Sequence, residues 1–211
     1  MGYADRVTAT PGATTGRRER KKAATRKAIA DAALHLFLER GYDAVTVREV
    51  AERADVSATT LLNYFPSKES LVFDRDADVE ASLVDAVAGR APQTSPLAAL
   101  RAHLKARAVR AGAAPGAAQF RALVRSAPAL VDYQREMWVR HQAALAAAIA
   151  DAGGRPADDL TCGLVALFAL QTFASALASD DPQQTVDLGF DVIERGWPAA
   201  VDRRPHGRPR R

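Results

Sequence analysis

Within one short stretch, Ser57, Thr59, Thr60, Asn63 and Tyr64 supply hydroxyl and amide groups with no charged side chain among them. On a helix, Leu61 and Phe65 lie four residues apart and must face a core, so Ala58, Thr59, Thr60, Asn63 and Tyr64 project away from it. A solvated helix face would carry Lys and Glu. A neutral face of small and hydrogen-bonding groups is instead suited to the edges of base pairs. Asn63 can pair with adenine, Thr59 and Thr60 can reach bases or a thymine methyl, and Tyr64 can reach a base or a phosphate. The competing reading of Tyr64 is packing on the preceding helix.

Other chemistry is poorly served. His35, His103, His141 and His206 fit no metal-ligand spacing, and the chain has no Gly-rich phosphate loop and no nucleophile elbow. The run Asp74, Asp76, Asp78, Glu80 alternates as a solvated helix face does. Cys162 is the sole cysteine and sits in an apolar run, which excludes a disulfide framework and suits a reducing cytoplasm. No enzyme, metal or cofactor is expected.

The elements that must position the neutral face are legible in the flanking residues. Thr46-Val47-Arg48-Glu49 reads as a capping box, with Thr46 as N-cap and Glu49 reaching back. Val47, Val50, Ala51 and Ala54 then give a helix of about two turns ending at Asp55. Ser57 caps the next helix, with Val56 placed to staple against Leu61, and Pro66 stops it. Two short helices joined by a three-residue turn have the geometry of a helix-turn-helix. Ser67 then caps an expected fourth helix from Lys68 to Ala88, closed by Gly89. Ahead of the pair, Ile29, Ala32, Ala33, Leu36 and Phe37 recur at helical spacing, predicting a helix from near Arg20 to Gly41. Phosphate contacts are expected from the helix starts, at Thr46 with its following N–H groups, Ser57 and Lys68, although Thr46 and Ser57 are also explained by capping alone. Arg48 is counted with these DNA contacts.

Charge is distributed to match. Seven Lys and Arg residues lie between Arg17 and Lys27 against Glu19 alone, and the last nine residues hold five arginines. The body from Ala28 to Asp202 has 16 basic and 23 acidic residues, so the positive field sits at the ends and leads into the first helix. The Ala-rich composition and the lack of strand alternation predict an all-α chain. The expected division is a disordered basic arm at 1–20, a helix-turn-helix domain at 21–67, a helical domain at 68–198 and a disordered basic tail at 199–211. The N-terminus lacks a secretory signal, and the longest apolar stretch, Gly163 to Ala178, is short for a membrane span and carries Gln171, Thr172 and Ser175. A soluble protein with no membrane partner is expected.

From Arg26 to Leu71 the ordered motifs Ala33-Leu34-His35-Leu36-Phe37, Gly41-Tyr42, Thr46-Val47-Arg48-Glu49-Val50-Ala51, Val56-Ser57 and Tyr64-Phe65-Pro66-Ser67-Lys68-Glu69 resemble the DNA-binding domain of the TetR family. The resemblance covers about a quarter of the chain. It implies that Thr46, Ser57, Thr59, Thr60, Asn63, Tyr64 and Lys68 touch operator DNA. It also implies a cytoplasmic, mostly bacterial regulator of nine or so helices, dimerising through its last two, with repression as the common mode. Two positions depart from the family pattern. Leu62 stands where an aromatic, often Tyr, is usual, and Asp55 stands where Gly is frequent in the turn.

Beyond residue 90 no motif of comparable strength occurs. Helices are expected at about 97–111, 117–126, 129–152, 157–179 and 182–197. Phe120, Leu123, Tyr133, Met137, Trp138, His141, Phe168, Gln171 and Phe173 are candidates to line a small-molecule pocket, against the ordinary alternative of a packed core with a satisfied histidine. Leu160, Gly163, Leu164, Leu167, Phe168, Leu170 and Phe173 make one helix apolar nearly all round, and Val186, Gly189, Phe190, Ile193 and Trp197 give the last helix a single stripe. Leu164, Leu167, Val186, Phe190 and Ile193 are the expected contacts of a homodimer, which would set two recognition helices on a palindrome of double-stranded DNA. The competing reading is a helix-turn-helix protein whose C-terminal half only dimerises or docks another protein, without a ligand.

Overall fold

The computed structural model of the chain describes residues 11–195, with side chains from residue 16. The basic tail at 199–211, Trp197 and the first ten residues of the expected arm lie outside the described residues. Among the described residues the structure is all-helical, with nine α-helices and no strand, and it divides into compact units at Asp74/Arg75.

In the first unit, α1 (Pro11–Arg40) begins well before Arg20, the expected start. The part of the arm from Pro11 to Arg20 is therefore helical, a correction to the disordered reading. Pro is tolerated at a helix start, and although Gly12, Thr14, Thr15 and Gly16 are weak helix formers, the Arg-, Lys- and Ala-rich run from Arg17 is a strong one that needs no buried face. The packed part of α1 is the later one, where Ile29, Ala33 and Phe37 stack at four-residue spacing in the core. Gly41, at φ 84°, ends the helix in the left-handed region with its N–H on the Phe37 carbonyl at 2.9 Å. α2 (Val47–Arg53) and α3 (Ala58–Tyr64) follow, burying Val50, Ala51 and Leu61.

The expected continuous helix from Lys68 to Ala88 is not formed. A 3₁₀ turn at Glu69–Leu71 packs on α1, and α4 (Asp76–Ala88) begins only after a further turn. Leu71, Val72 and Phe73 are all buried, and three consecutive residues of an α-helix cannot share one face. The Asp74 carbonyl is also taken by Arg26, whose Nη2 donates to it at 3.0 Å, so it is withdrawn from helical bonding. The unit boundary accordingly falls after Asp74, not after Ser67.

The second unit contains α4, α5 (Pro96–Ala113), α6 (Ala117–Ser126), α7 (Pro128–Ala152), α8 (Leu160–Leu177) and α9 (Pro182–Arg195). α7 packs on α4 and α8, while α9 packs on α8 and α5. Leu83, Leu100, Leu104, Leu145, Phe173, Val186 and Phe190 are central to the shared core. α8 has a mean hydropathy of 1.8, long and apolar enough by length and composition to cross a membrane. Its Cys162, Ala166, Ala169, Phe173 and Ala176 are buried within the unit, whereas Leu160, Leu164 and Phe168 are exposed.

Candidate nucleic-acid interface

α3 is held from three directions. Ser57 accepts the Thr60 N–H at 3.0 Å, closing the N-terminus as expected. Leu61 and Phe65 are fully buried and fix the inward face. At the C-terminal end, the Arg26 guanidinium donates to the Tyr64 carbonyl at 2.7 Å and lies 4.2 Å from the Phe65 ring centroid. Arg26 thus joins α1, the end of α3 and the last residue of the same unit. Sequence reading had only counted it in the basic cluster. The carbonyl partners it needs come from residues 38 and 48 positions away, with the aromatic beside the first of them, and no local pattern marks them.

With α3 fixed, Ala58, Thr59 and Asn63 are exposed, while Thr60 and Tyr64 are half-buried. The Thr60 hydroxyl lies 2.8 Å from the Ser57 hydroxyl, so one donates a hydrogen bond to the other. Leu62 is also outward, at 48% exposure, and gives the face an apolar member in place of the family's usual phenol.

The turn between α2 and α3 needs a left-handed residue, and Asp55 supplies it at φ 53°. The Val56 N–H bonds to the Ala51 carbonyl at 3.0 Å and the Asp55 N–H to the Glu52 carbonyl at 3.2 Å, the paired bonds of a Schellman ending. A short Asp side chain tolerates this conformation, so the departure from Gly leaves the turn intact.

The capping box of α2 is formed in both directions. The Glu49 N–H donates to the Thr46 hydroxyl at 3.2 Å and the Thr46 N–H donates to Glu49 Oε2 at 2.7 Å. Arg40 pairs with the same carboxylate at 2.8 Å. The Thr46 backbone bond, the Thr46 hydroxyl and Arg40 together hold the Glu49 carboxyl down at about 2. Arg48 is exposed and paired with Glu52 at 2.9 Å, a surface pair of little energetic weight.

Lys68 does not open a helix. Its Nζ donates to the Tyr42 carbonyl at 2.6 Å and lies 4.1 Å from the Tyr42 ring centroid. The next residue, Glu69, accepts the Tyr42 hydroxyl at 2.6 Å; burial, then this bond, raises the phenol well above its ordinary range. Lys68 and Glu69 therefore clamp Tyr42 from both ends, and an ammonium with three donors keeps others for a phosphate.

The remaining predicted residues fall into two places. Trp138, His141 and Phe173 come together inside the second unit, with Trp138 against both His141 (5.2 Å) and Phe173 (6.1 Å), and Met137 is buried on the same helix as Trp138. Leu123 is buried, Phe120 and Tyr133 half-buried. Phe168 and Gln171 are instead on the outer side of α8, lining an open groove of ≈ 750 Å³ with Leu164, Leu188, Val192 and Ile193. Two of the expected dimer residues, Val186 and Phe190, do not line this groove. Val186 and Phe190 are fully buried in their own unit and present nothing to a second subunit. The outward stripe of α9 is Leu188 and Val192, two residues along from Val186 and Phe190 and so nearly on the opposite side of the wheel. No group of His, Cys, Asp and Glu able to hold a metal occurs among the described residues.

A capped pair of short helices presenting a neutral, hydrogen-bonding face defines a helix-turn-helix domain of the DNA-binding class. Residues 29–74 match the family described as bacterial regulatory proteins, tetR family. The match lies within this domain, over about a fifth of the chain, and likens that part to the family. It is 50% identical over 58 residues to the HTH-type transcriptional regulator RutR of Escherichia coli K12, covering 28% of this chain and 27% of that protein. It is 46% identical over 72 residues to the HTH-type transcriptional repressor KstR of Rhodococcus jostii, covering 34% of each. The matched stretch thus spans about a third or less of these relatives. The fold extends further: the crystal structure of Thermus thermophilus FadR, a TetR-family repressor in complex with lauroyl-CoA, aligns over 88% of this chain and 98% of its own at a TM-score of 0.53 and 23% identity.

Proposed function

We propose that this chain is a one-component transcriptional regulator: a cytoplasmic homodimer that binds a palindromic operator through α3 and represses transcription until a small molecule releases it. The observation that carries the reading is the outward face of α3, neutral and hydrogen-bonding on a helix locked at both ends. Thr59, Thr60 and Asn63, beside Ala58, read base edges; Tyr64, Thr46, Ser57, Arg48 and Lys68 position the backbone. Leu62 offers apolar contact to a thymine methyl in place of a hydroxyl to phosphate.

One recognition helix makes too few contacts for useful specificity, and a two-fold axis doubles them. The α8–α9 groove supports pairing: Leu164, Phe168, Leu188, Val192 and Ile193 form an apolar surface on adjacent helices, suited to a four-helix interface with a second copy. Ligand bound among the helices of the second unit would change the separation of paired recognition helices from the roughly 34–36 Å that successive major grooves require. Reciprocal coupling of about 1–3 kcal/mol between ligand and operator follows.

The experiment is selection of genomic DNA fragments by the purified chain. Enrichment of a palindrome is the expected result; weak, sequence-independent retention would assign the affinity to the basic ends and remove the regulator reading.

A further inference from the structure

Inside the second unit, one run of side chains ends in polar atoms that find no partner. On α5, Arg107 is half-buried, and its Nε is hidden from solvent without an acceptor. Its guanidinium lies 5.8 Å from the Phe173 ring centroid. The charges around it have the same sign: burial first, then Arg75 and Arg110, push Arg107 toward its neutral form. His103 is pushed down by burial and by Arg107 and Arg110, so a half-buried positive field forms there, and no carboxylate pairs with Arg107 among the described residues.

Phe173 leads from Arg107 to Trp138, and Trp138 leads to His141. His141 is fully buried. Its Nε2 is 2.6 Å from Asp76 Oδ1, and its Nδ1 has no hydrogen-bond partner. Nε2 is taken up by the carboxylate, which leaves Nδ1 as the ring atom open to a polar group of a ligand. Buried polar atoms are normally satisfied, and an unpaired guanidinium N–H is among the costlier exceptions. Here two such atoms stand at the two ends of one aromatic wall.

We infer that this run is the effector site and that its ligand is a small organic carboxylate. The carboxylate would pair with Arg107, the apolar or aromatic body would lie along Phe173 and Trp138, and a polar group of the ligand would hydrogen-bond to His141 Nδ1. The inference rests on the regulator reading above and gives its ligand a chemical class. The position suits signalling: Asp76, held by His141, and Arg75, whose charge Arg107 feels, are the first residues of the unit after the DNA-binding domain. An anion at Arg107 would act on both.

The test uses the full chain and matched pairs of probes: 4-hydroxybenzoate, 4-hydroxyphenylacetate and decanoate, each beside its carboxamide. Thermal shift and Trp emission report binding, and an operator duplex is titrated in the same preparations. The expected result is that at least one carboxylate binds about ten- to a hundredfold more tightly than its amide, a preference that Arg107→Gln abolishes. The ligand-free Tm of Arg107→Gln and Arg107→Met should be unchanged or higher, because an unpaired buried charge has been removed. Trp138→Phe should suppress the emission change. Equal response to acid and amide, no response to any probe, an undiminished preference in Arg107→Gln, or a lowered ligand-free Tm in both Arg107 variants would overturn the carboxylate site. Operator binding intact in those samples would leave the regulator reading standing, whereas its absence in the unmodified chain would remove that reading itself.

Discussion

At the residue scale, several side chains in the DNA-binding domain do one structural job each while leaving a functional group outward. Glu49 is held at about 2 by the Thr46 backbone and hydroxyl and by Arg40. Its folded pKa lies below the ordinary 4.5, so its stabilisation is complete above about 4.5 and is lost as the pH falls toward 2. Acid titration of the full chain should show this loss, and Glu49→Gln should flatten that part of the profile while keeping a capping side chain. Asp55, at φ 53°, makes a sharper demand. Asp55→Val should destabilise by about 1–2 kcal/mol in denaturant titration, because a β-branched residue is disfavoured there, whereas Asp55→Gly should stay within about 0.5 kcal/mol. Equal losses in the two would mean that the turn relaxes.

At the element scale, what positions α3 is partly long-range. Arg26 spans α1, the Tyr64 carbonyl and the Asp74 carbonyl. Arg26→Met should cost about 2–3 kcal/mol in the first unit, and Arg26→Lys should recover little because an ammonium cannot reproduce the fork. Hydrogen exchange of the Leu61 and Phe65 amides reads the effect. This is also where legibility in the sequence ended. The capping box at Thr46, the cap at Ser57, the glycine at Gly41 and the buried pair Leu61 and Phe65 depend on neighbours within four residues, and local spacing marks them. The break at Val72–Arg75 depends on Arg26 and on three consecutive buried residues, which periodicity reads as helix. The stripe of α9 was misassigned for a similar reason. Val186 and Phe190 are as apolar as a dimer contact must be, but α5 and α8 bury them first, aided by Arg101 pairing with Asp187 at 2.7 Å and Asp191 at 3.1 Å. Placing a charge on the open stripe, Val192→Glu, should convert a dimer to a monomer in sedimentation without lowering the Tm of the monomeric unit. Retention of the dimer would move the interface elsewhere.

For the whole molecule, the basic cluster at the start of α1 and the neutral face of α3 divide the work. Under the proposed function, the first supplies sequence-independent attraction to phosphates and the second supplies discrimination. Affinity for any duplex and affinity for the right duplex should therefore separate under mutation. The decisive measurement is the ratio of operator to non-operator affinity at fixed salt for the unmodified chain and for Thr60→Ala/Asn63→Ala. Each lost base contact removes roughly 1–3 kcal/mol of discrimination, so the ratio should fall by at least about tenfold while non-operator affinity and its salt dependence stay unchanged. A ratio that survives the double substitution would contradict the assignment of α3 as the reading helix.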